Sequence, residues 1–397
     1  MIGERWQQVL YAHGDTVALR YLHGALTFAQ IDEAARALPT AGDHVLAQGG
    51  AAEIMVALVA GFLAGKPVHV VEKDRVRRVP LIDPPAGTCL IKQTVGGTGV
   101  RRCQFFSAAQ TMADVDRLHQ ALELDKHGVC VAAISSAHSY GLTVTVLQTL
   151  LHGVPMHWLP EPFPAGLGEA LSQYERVFLP GIPALWRAWL MAGVDLGRVS
   201  LAVSAGSPLT LELEQRAFEV QGLKLHNLYG ASECGAVAYD ATTAIREESA
   251  LVGELLQGVT AEVNDEGLLV VQSDAVGIGY DQTLPGEVFG ERCFKTCDRF
   301  ALSASGLKFQ RCEGKGINVA GRKLSPREIA DKLCVATGVR CEVRSASSRD
   351  AERCEEVVVM VDLPKDALTM AFRERACQGL APWEIPRRWM TAVVDPK

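Results

Sequence analysis

The sequence lacks the features of membrane and nucleic-acid proteins. Its longest apolar run, Ile54 to Gly65, falls short of the about 20 residues that a helix needs to cross a bilayer. Positive charge is not in excess either: the formal net charge is −7, so no basic stripe is available to displace the counterions of a nucleic acid. We therefore expect neither a membrane nor a nucleic acid as a partner.

The sequence also lacks a cysteine framework and an apolar leader. Its eleven cysteines are an odd number and are scattered, several of them within apolar runs, as at Cys89, Cys130 and Cys334. Cys293 and Cys297 have no second cysteine pair nearby, so a zinc site is not favoured there. The first five residues lead directly into a helix-like segment rather than a signal peptide. These observations predict a cytoplasmic globular protein.

What is present is the alternation of an α/β fold. With 397 residues, of which 48% are apolar, the chain is long enough for two or three domains. Short apolar runs predict strands, and segments of helical periodicity lie between them. A cycle of this kind indicates a large N-terminal domain of helix-covered, mostly parallel sheets. The predicted strands are 68–71, 129–134, 154–159, 177–179, 201–203 and 223–228.

The pattern changes near residue 250. Two apolar segments flank Asn264–Gly267, which is a hairpin signal, and predict a small β-rich subdomain over about 251–310 within an N-terminal domain of 1–310. Residues 311–316 form a polar, glycine-containing hinge, and 317–397 form a small α+β C-terminal domain. In that domain Ser325-Pro326 is a strong helix start, and a second helix is expected near 366–377.

The first segment with chemistry is Thr94–Arg102. Its glycines and threonines follow an apolar strand at 89–91 and are expected to precede a helix, so backbone amides could converge on an anion. That helix is predicted to start at Ser107, because Ser107 and Gln110 have the spacing of a capping box. Arg101 and Arg102 could neutralise phosphate charge. An ordinary strand-to-helix turn explains the pattern equally well, and the segment is not a Walker loop because the lysine-serine/threonine pair is absent.

The second segment is Asn227–Gly235, at the end of a predicted strand, where ligands of open α/β sheets bind. Tyr229 offers a flat face for a purine, Ser232 a hydroxyl for a phosphate, and Glu233 a carboxylate for Mg²⁺. The alternative is a tyrosine that anchors a loop beside a solvated glutamate.

Two further segments contribute single polar groups. His138 and Tyr140 follow the strand at 129–134, although a lone histidine is more often structural than catalytic. Asp298 follows Phe294-Lys295-Thr296-Cys297 and could accept both hydroxyls of a ribose, or could be an exposed turn carboxylate.

In this order the four segments resemble the adenylate-forming superfamily, which contains acyl- and aryl-CoA synthetases, acyl carrier protein ligases and the adenylation domains of nonribosomal peptide synthetases. The resemblance covers nearly the whole chain. Its most specific match is tyrosine-glycine-x-serine-glutamate at 229–233. Residues 22–71, the Ser204–Leu209 segment and Ile317–Ile329 also look like segments of that family.

The resemblance implies an ATP-dependent carboxylic acid ligase that forms an acyl- or aryl-adenylate and transfers the acyl group to a thiol. His138, Glu233 and Arg102 would be catalytic, with Glu233 on Mg²⁺, Ser232 on a phosphate, and Asp298 and Arg311 on the ribose. His138, Tyr140 and Gly230 would line the acid pocket. The other nucleotide-binding positions would be Thr94, Gly96, Gly97, Thr98, Gly99, Ser204, Ala205, Gly206, Asn227, Tyr229 and Gly230.

Several departures from the family pattern leave a second function open. Val95 replaces a small hydroxylic residue, Arg101-Arg102 replace proline-lysine, and Cys297 replaces a glycine. The family's closing glycine-lysine is not matched by Asp395–Lys397. That lysine could be supplied otherwise, the first half-reaction could be slow, or the tail could have been cut. The alternative function is a catalytically impaired protein that binds the nucleotide or the acyl-adenylate.

The substrates are less well specified. Aromatic residues make up only 6% of the chain, yet His138, Tyr140, Trp158 and Trp186 fall near predicted strand ends or pocket-lining helices. This favours a compact aromatic or short acid over a long fatty acid. The thiol would belong to CoA or to the phosphopantetheine of a free-standing acyl carrier protein. Residues 317–397 would swing about Gly314 or Lys315 between the two half-reactions.

Overall fold

The computed structural model describes residues 1–22, 24–72, 83–95, 101–303, 306–313, 316–319, 322–348 and 355–391. The α-helices of these residues are α1 (Ile2–His13), α2 (Phe28–Ala37), α3 (Ala51–Ala64), α4 (Ala108–Ala121), α5 (Ser139–Gly141), α6 (Leu147–His152), α7 (Pro164–Ser172), α8 (Pro183–Met191), α9 (Leu211–Gln221), α10 (Pro326–Thr337) and α11 (Met370–Ala376).

The strands of these residues are β1 (Val17–Tyr21), β2 (Gly24–Thr27), β3 (Val45–Gln48), β4 (Val68–Val71), β5 (Thr88–Val95), β6 (Arg101–Ser107), β7 (Val129–Ala132), β8 (Met156–Trp158), β9 (Val177–Gly181), β10 (Val199–Ser204), β11 (Leu225–Ala231), β12 (Gly235–Tyr239), β13 (Glu254–Leu255), β14 (Val259–Val263), β15 (Leu268–Ser273), β16 (Gly279–Tyr280), β17 (Phe289–Gly290), β18 (Cys293–Ser303), β19 (Gly306–Cys312), β20 (Ile317–Val319), β21 (Arg322–Leu324), β22 (Cys341–Ser347), β23 (Glu355–Val361) and β24 (Arg388–Thr391).

The largest sheet has nine strands in the order β13-β12-β11-β10-β9-β7-β8-β1-β2. Its centre, from β11 through β10, β9, β7 and β8 to β1, is parallel, while β2, β12 and β13 pair antiparallel at the two edges. The prediction of a helix-covered, mostly parallel sheet is therefore confirmed for this sheet. Since parallel strands end at one edge, the segments after β7, β9, β10 and β11 are brought together there.

A five-stranded sheet, β16-β6-β5-β4-β3, lies in the same part of the chain. Here the sequence prediction was wrong in one respect. The glycine-rich segment was expected to join a strand to a helix, but it joins β5 to β6, which pair antiparallel from Thr88↔Ser107 to Val95↔Arg101. The apolar run after Arg102 is extended, and α4 begins only after β6, capped by Ser107 and Gln110 as predicted. Gly96, Gly97, Thr98 and Gly99 lie outside the described residues.

The β-rich segment expected after residue 250 forms an antiparallel sheet, β14-β15-β18-β17, with β19 paired to β18. The predicted hairpin joins β14 and β15, and Gly267 adopts a φ of +77° in its turn. Strand β19 continues through Cys312, so the first two residues of the expected hinge are extended. Gly314 and Lys315 lie outside the described residues, and the boundaries of the domains and of the hinge remain predictions.

Residues 317–391 have a hydrophobic core of their own, built on Ile329, Leu333 and the buried face of β23. Helix α10 begins as predicted, with Ser325 accepting a hydrogen bond from the Glu328 backbone and Pro326 in the first turn. The helix expected over 366–377 is shorter: a 3₁₀ turn precedes α11, which starts after the Thr369 cap. In the described residues no helix is both long and apolar enough to traverse a bilayer.

Candidate active site

The side chains of Tyr229 and Asp298 are in contact. Tyr229 belongs to β11 and Asp298 to β18, yet the tyrosine hydroxyl donates a hydrogen bond of 2.8 Å to Asp298 Oδ2. The Tyr229 ring packs edge-on against Phe300, with ring centroids 4.9 Å apart. Burial raises the pKa of Tyr229 well above its usual value, and the neighbouring Asp298 carboxylate adds to this effect, so the hydroxyl stays protonated as a donor. Two residues that the sequence assigned to the nucleoside thus lie side by side.

Glu233, the predicted metal ligand, is not the solvated side chain of the alternative interpretation, since it is only 6% exposed. Its Oε1 accepts a hydrogen bond of 2.7 Å from the hydroxyl of Tyr280. The guanidinium of Arg102 stacks 3.6 Å from the centre of the Tyr280 ring. Burial, together with the charge of Glu233, raises the pKa of Tyr280, which keeps its proton on the hydroxyl. The sequence did not indicate Tyr280, because its strand β16 has only two residues and is too short to give a recognisable strand pattern.

Arg102 was assigned to the phosphates on the basis of its charge. The structure places its guanidinium in a bidentate ion pair with Glu287, at 2.6 Å for both contacts, and in a hydrogen bond to the Gln282 carbonyl. Arg102 is only 2% exposed. Because a carboxylate of the same chain already neutralises this cation, the ion pair argues against a direct phosphate contact, and that role remains a prediction.

Four of the predicted segments meet around a cavity of about 110 Å³, here called the small chamber. Gly230 packs closely against the backbone of Gly235. A Cβ at this position would come 2.5 Å from the Gly235 carbonyl oxygen, so only glycine fits. Thr94 reaches the chamber from β5, and Gly206, at a φ of +82°, follows β10. The lining residues are Thr94, Asp114, Leu118, His138, Ser139, Tyr140, Thr143, Ala205, Gly206, Leu228, Gly230, Ala231, Ser232, Gly235 and Ala236.

The helical segment at His138 supplies one wall of the small chamber. It starts as α5, passes through a π-helical turn at Leu142–Val146 and continues as α6. Such turns shift the register of a helix and are frequent at functional sites. The Tyr140 hydroxyl lies 3.4 Å from the Val203 carbonyl, and burial raises the pKa of this tyrosine well above its usual value. His138 and Tyr140 thus line the chamber, and their role in an acid pocket remains a prediction.

A larger cavity of about 610 Å³, here called the large cavity, shares His138, Tyr140 and Gly206 with the small chamber. Trp158 and Leu185 provide apolar walls. Val319, Arg322 and Trp383 line it from the C-terminal part of the chain, where the Arg322 guanidinium stacks 4.0 Å from the Trp383 ring centre and lies 3.8 Å from Glu72. Trp186, which was expected near the pocket, is instead fully buried and packs edge-on against Trp189.

The remaining predicted positions vary in their surroundings. Ser204, which precedes Ala205 and Gly206, is fully buried. Its hydroxyl has no hydrogen-bond partner among the described residues. The Asn227 amide lies 3.4 Å from the Leu251 carbonyl. Arg311 is exposed and pairs with Glu313 at 2.9 Å rather than with Asp298, so its role on the ribose remains a prediction.

Lys92 is a second residue that the sequence analysis missed. It lies on β5, its side chain is 7% exposed, and its Nζ is 3.2 Å from the hydroxyl oxygen of Ser139. A lysine directly after the apolar run 89–91, two residues before Thr94, was a signal that could have identified it.

The described residues contain no group of three histidine, cysteine, aspartate or glutamate residues that could hold a metal ion. No two of the cysteines in the described part of the chain form a disulfide.

Comparison with known proteins decides the family. A sequence model of the AMP-binding enzyme family matches residues 65–288, more than half of the chain and the part that forms the small chamber. The chain belongs to the AMP-binding enzyme family.

Curated relatives of this AMP-binding enzyme are distant. A long-chain-fatty-acid–CoA ligase of Bacillus subtilis is 24% identical over 341 residues, which are 80% of this chain and 60% of the relative. A ligase of the same description from Haemophilus influenzae is 24% identical over 276 residues, 65% of this chain and 49% of that protein. The chain thus spans about half to three-fifths of the length of these two relatives.

Solved structures share the fold at low identity. The o-succinylbenzoate CoA synthetase of Bacillus subtilis superposes with a TM-score of 0.80 at 14% identity, covering 99% of this chain and 95% of that one. A malonyl-CoA ligase superposes with a TM-score of 0.79 at 20% identity, with 96% of both chains covered. These likenesses extend the AMP-binding fold over nearly all of the described residues.

Proposed function

We propose that this chain is an ATP-dependent carboxylic acid ligase that forms an acyl- or aryl-adenylate and passes the acyl group to a thiol. The observation that carries the proposal is the small chamber, where His138, Gly206, Gly230 and Ser232 meet, with Tyr229 of β11 and Asp298 of β18 in contact nearby. These groups would hold an acid in the chamber and a nucleotide beside it.

In the first step an oxygen of the acid carboxylate attacks the α-phosphorus of ATP, and the bond from that phosphorus to pyrophosphate breaks. The chain's role is to hold two anions in contact, which requires positioning and donors rather than a strong base. Tyr229 and Asp298 would hold the nucleoside, since the tyrosine occupies one carboxylate oxygen and the aspartate has two. Thr94 and Ser232 would donate to phosphate oxygens at the rim of the chamber.

Mg²⁺, when bound, would neutralise charge on the phosphates. Glu233 is the residue that would hold it, because Tyr280 engages its Oε1 and so fixes the orientation of the carboxylate. His138 would face the acid carboxylate and Tyr140 the body of the acid. The hydroxyl of Ser204, which has no hydrogen-bond partner within the described part of the chain, would bond to a polar atom of the nucleotide.

In the second step a thiol sulfur attacks the acyl carbon, the acyl–phosphate bond breaks, and AMP leaves. The thiol would belong to CoA or to the phosphopantetheine of a free-standing carrier protein. Support comes from the large cavity, which connects residues of the C-terminal part to His138. Movement of residues 317–397 about the hinge would separate the two steps.

The acid we propose is compact, either aromatic or short. The curated relatives act on long-chain fatty acids by their names, but the small chamber offers about 110 Å³. An engineered protein cavity of about 150 Å³ accommodates benzene, so a chamber of about 110 Å³ suits a short acid. An aromatic ring would extend into the large cavity, which shares His138 and Tyr140 with the chamber.

The test is acid-dependent exchange of pyrophosphate into ATP, with hydroxamate trapping, over a panel of short aliphatic and aromatic acids. The wild-type chain should exchange with at least one acid, and Glu233→Ala should abolish that exchange. Nucleotide binding without exchange for any acid would contradict the ligase proposal and support the impaired alternative. Undiminished exchange in Glu233→Ala would contradict the role of this carboxylate on Mg²⁺.

A further inference from the structure

Lys92 is a buried cation that the roles proposed above do not use. It lies on β5 between Ile91 and Gln93, and its ammonium is 3.2 Å from Ser139 Oγ and 4.5 Å from the centre of the Phe106 ring. Removing an ammonium from water costs several kcal/mol, and one hydroxyl and one ring offset only part of that cost. A methionine would fill a similar volume without it. The charge itself therefore calls for an explanation.

The surroundings of Lys92 supply one. The carboxylates of Asp114, on α4, and of Glu233, after β11, both act on this ammonium, and Arg117 pairs with Asp114 from the same helix. Burial lowers the pKa of Lys92, because desolvation disfavours the charged form, while the two carboxylates oppose that shift. Lys92 therefore compensates two buried negative charges next to the place where a third anion, the acid, would enter.

Lys92 also lies directly behind the wall of the small chamber. Asp114 and Thr143 line both the chamber and the narrow gap in which the lysine side chain lies. Ser139, the hydrogen-bond partner of Lys92, lines the chamber next to His138. A displacement of the ammonium would thus move a side chain of the wall itself.

We propose that Lys92 is a positioning residue for acid activation. Through Ser139 it fixes the chamber wall beside His138, and its charge offsets Asp114 and Glu233 so that a carboxylate can approach. This inference rests on the proposed ligase function. If it holds, a positive charge needed for acid activation lies in the large N-terminal part of the chain.

The test uses the full chain and, from a panel of acetate, butanoate, hexanoate, benzoate and 2-hydroxybenzoate, the acid that gives the fastest wild-type exchange. Lys92→Met should raise KM for the acid and lower kcat at least tenfold, while KM for ATP stays within twofold. Ser139→Ala should change the same two parameters, and the double variant should be no worse than Lys92→Met, because the two residues act through one contact.

The matched structural control is Lys224→Met. Lys224 is also a buried lysine, but it pairs with Glu214 and Asp240 away from the chamber. This variant should lose thermal stability and retain wild-type KM for the acid. Lys92→Met should show the reverse, with its melting temperature unchanged or raised.

The pH profile gives a readout that a purely structural role would not change. Wild-type kcat should fall at alkaline pH as Lys92 loses its proton below the usual lysine range, and Lys92→Met should lack that limb. The groups that face Lys92 are Asp114 and Arg117 on α4, Glu233 and Cys234 after β11, and Arg102 and Tyr280 beyond Glu233. The Lys92→Met profile separates the lysine from these.

The outcomes distinguish the two proposals. A wild-type chain with no exchange for any acid contradicts the ligase function. An active wild type with unchanged kcat/KM in Lys92→Met, or with additive losses in the double variant, overturns the inference on Lys92 alone. If Lys92→Met does not fold, Ser139→Ala tests the same contact from the chamber side, and an unchanged KM for the acid there overturns it as well.

Discussion

Tyr280 holds the carboxylate of Glu233 through a hydrogen bond of 2.7 Å, although 47 residues separate them. The two lie on different sheets, Glu233 after β11 of the large sheet and Tyr280 on β16. This contact connects the strand end that carries the most specific sequence motif to the sheet that carries Lys92 and Thr94. A carboxylate fixed in this way is oriented before any ligand arrives, which is what an electrostatic site requires.

Removing the Tyr280 hydroxyl tests this orientation. Tyr280→Phe should lower the exchange rate about tenfold, because a hydrogen bond to a charged group contributes about 1.5–3 kcal/mol. The phenylalanine ring keeps the contacts with Phe289 and Arg102, so folding should be retained. Exchange measured across a Mg²⁺ titration gives the effect. Tyr174→Phe, which removes a hydroxyl bonded to His157, is the control and should behave as wild type. Equal rates for the two variants would contradict the role of Tyr280.

Local signals predicted much of the fold. The Ser107 and Gln110 capping box and the Ser325 cap were confirmed because each depends on residues within one turn of the chain. The glycine at the β14–β15 turn was also confirmed for a local reason, its positive φ. By contrast, the strand between the glycine-rich segment and Ser107 was not predicted, because its pairing with β5 depends on residues further along the chain.

The site was predictable as a set of segments but not as a set of contacts. Tyr229, Glu233 and Asp298 stood out by motif. The neutralisation of Arg102 by Glu287 depends on a carboxylate 185 positions away, which no local pattern reveals. The charge of Lys92 directly after the apolar run 89–91 is a local signal, but its partner Ser139 is evident only from the packing of the helix after β7 against β5.

The length of the small chamber should depend on Leu118. This buried side chain of α4 lines the chamber, whereas Leu122, about one turn further on, is equally buried and does not. Leu118→Ala should shift the preferred acid toward one that is longer by one to three carbons. Both Leu118→Ala and the control Leu122→Ala should cost about 2–5 kcal/mol of unfolding free energy. KM over a series of acids, with urea unfolding in parallel, provides the check. If both variants shifted the preferred acid, or if neither did, Leu118 would not set the length of the chamber.

The stability of the fold should decrease in mild acid because of His69. Burial lowers the pKa of this histidine from an ordinary 6.5 to about 4, and the nearby His44 contributes. Between these values the unfolded chain binds a proton that the folded chain does not, so stability is lost as pH falls below about 6.5. The effect from pH 7.5 to pH 5 is on the order of 2 kcal/mol. Urea unfolding of wild type and His69→Leu at both pH values measures it. Between the two pH values, His69→Leu should lose about 2 kcal/mol less unfolding free energy than wild type. Equal losses in both proteins would show that His69 is not responsible.

The large cavity should serve the thiol step rather than acid activation, and Arg322 separates the two. Its guanidinium lies on the Trp383 ring and near Glu72 within the large cavity, and it does not line the small chamber. Arg322→Ala should therefore leave pyrophosphate exchange within twofold of wild type and slow acyl transfer to CoA or pantetheine about tenfold. Hydroxamate and thioester formation measured on the same preparation give the two rates. Arg344→Ala removes an exposed arginine that pairs only with Glu342 among the described residues, and should change neither rate, since exposed ion pairs contribute little. Equal slowing of both half-reactions by Arg322→Ala would place this residue in a common structural role and remove the large cavity from the thiol step.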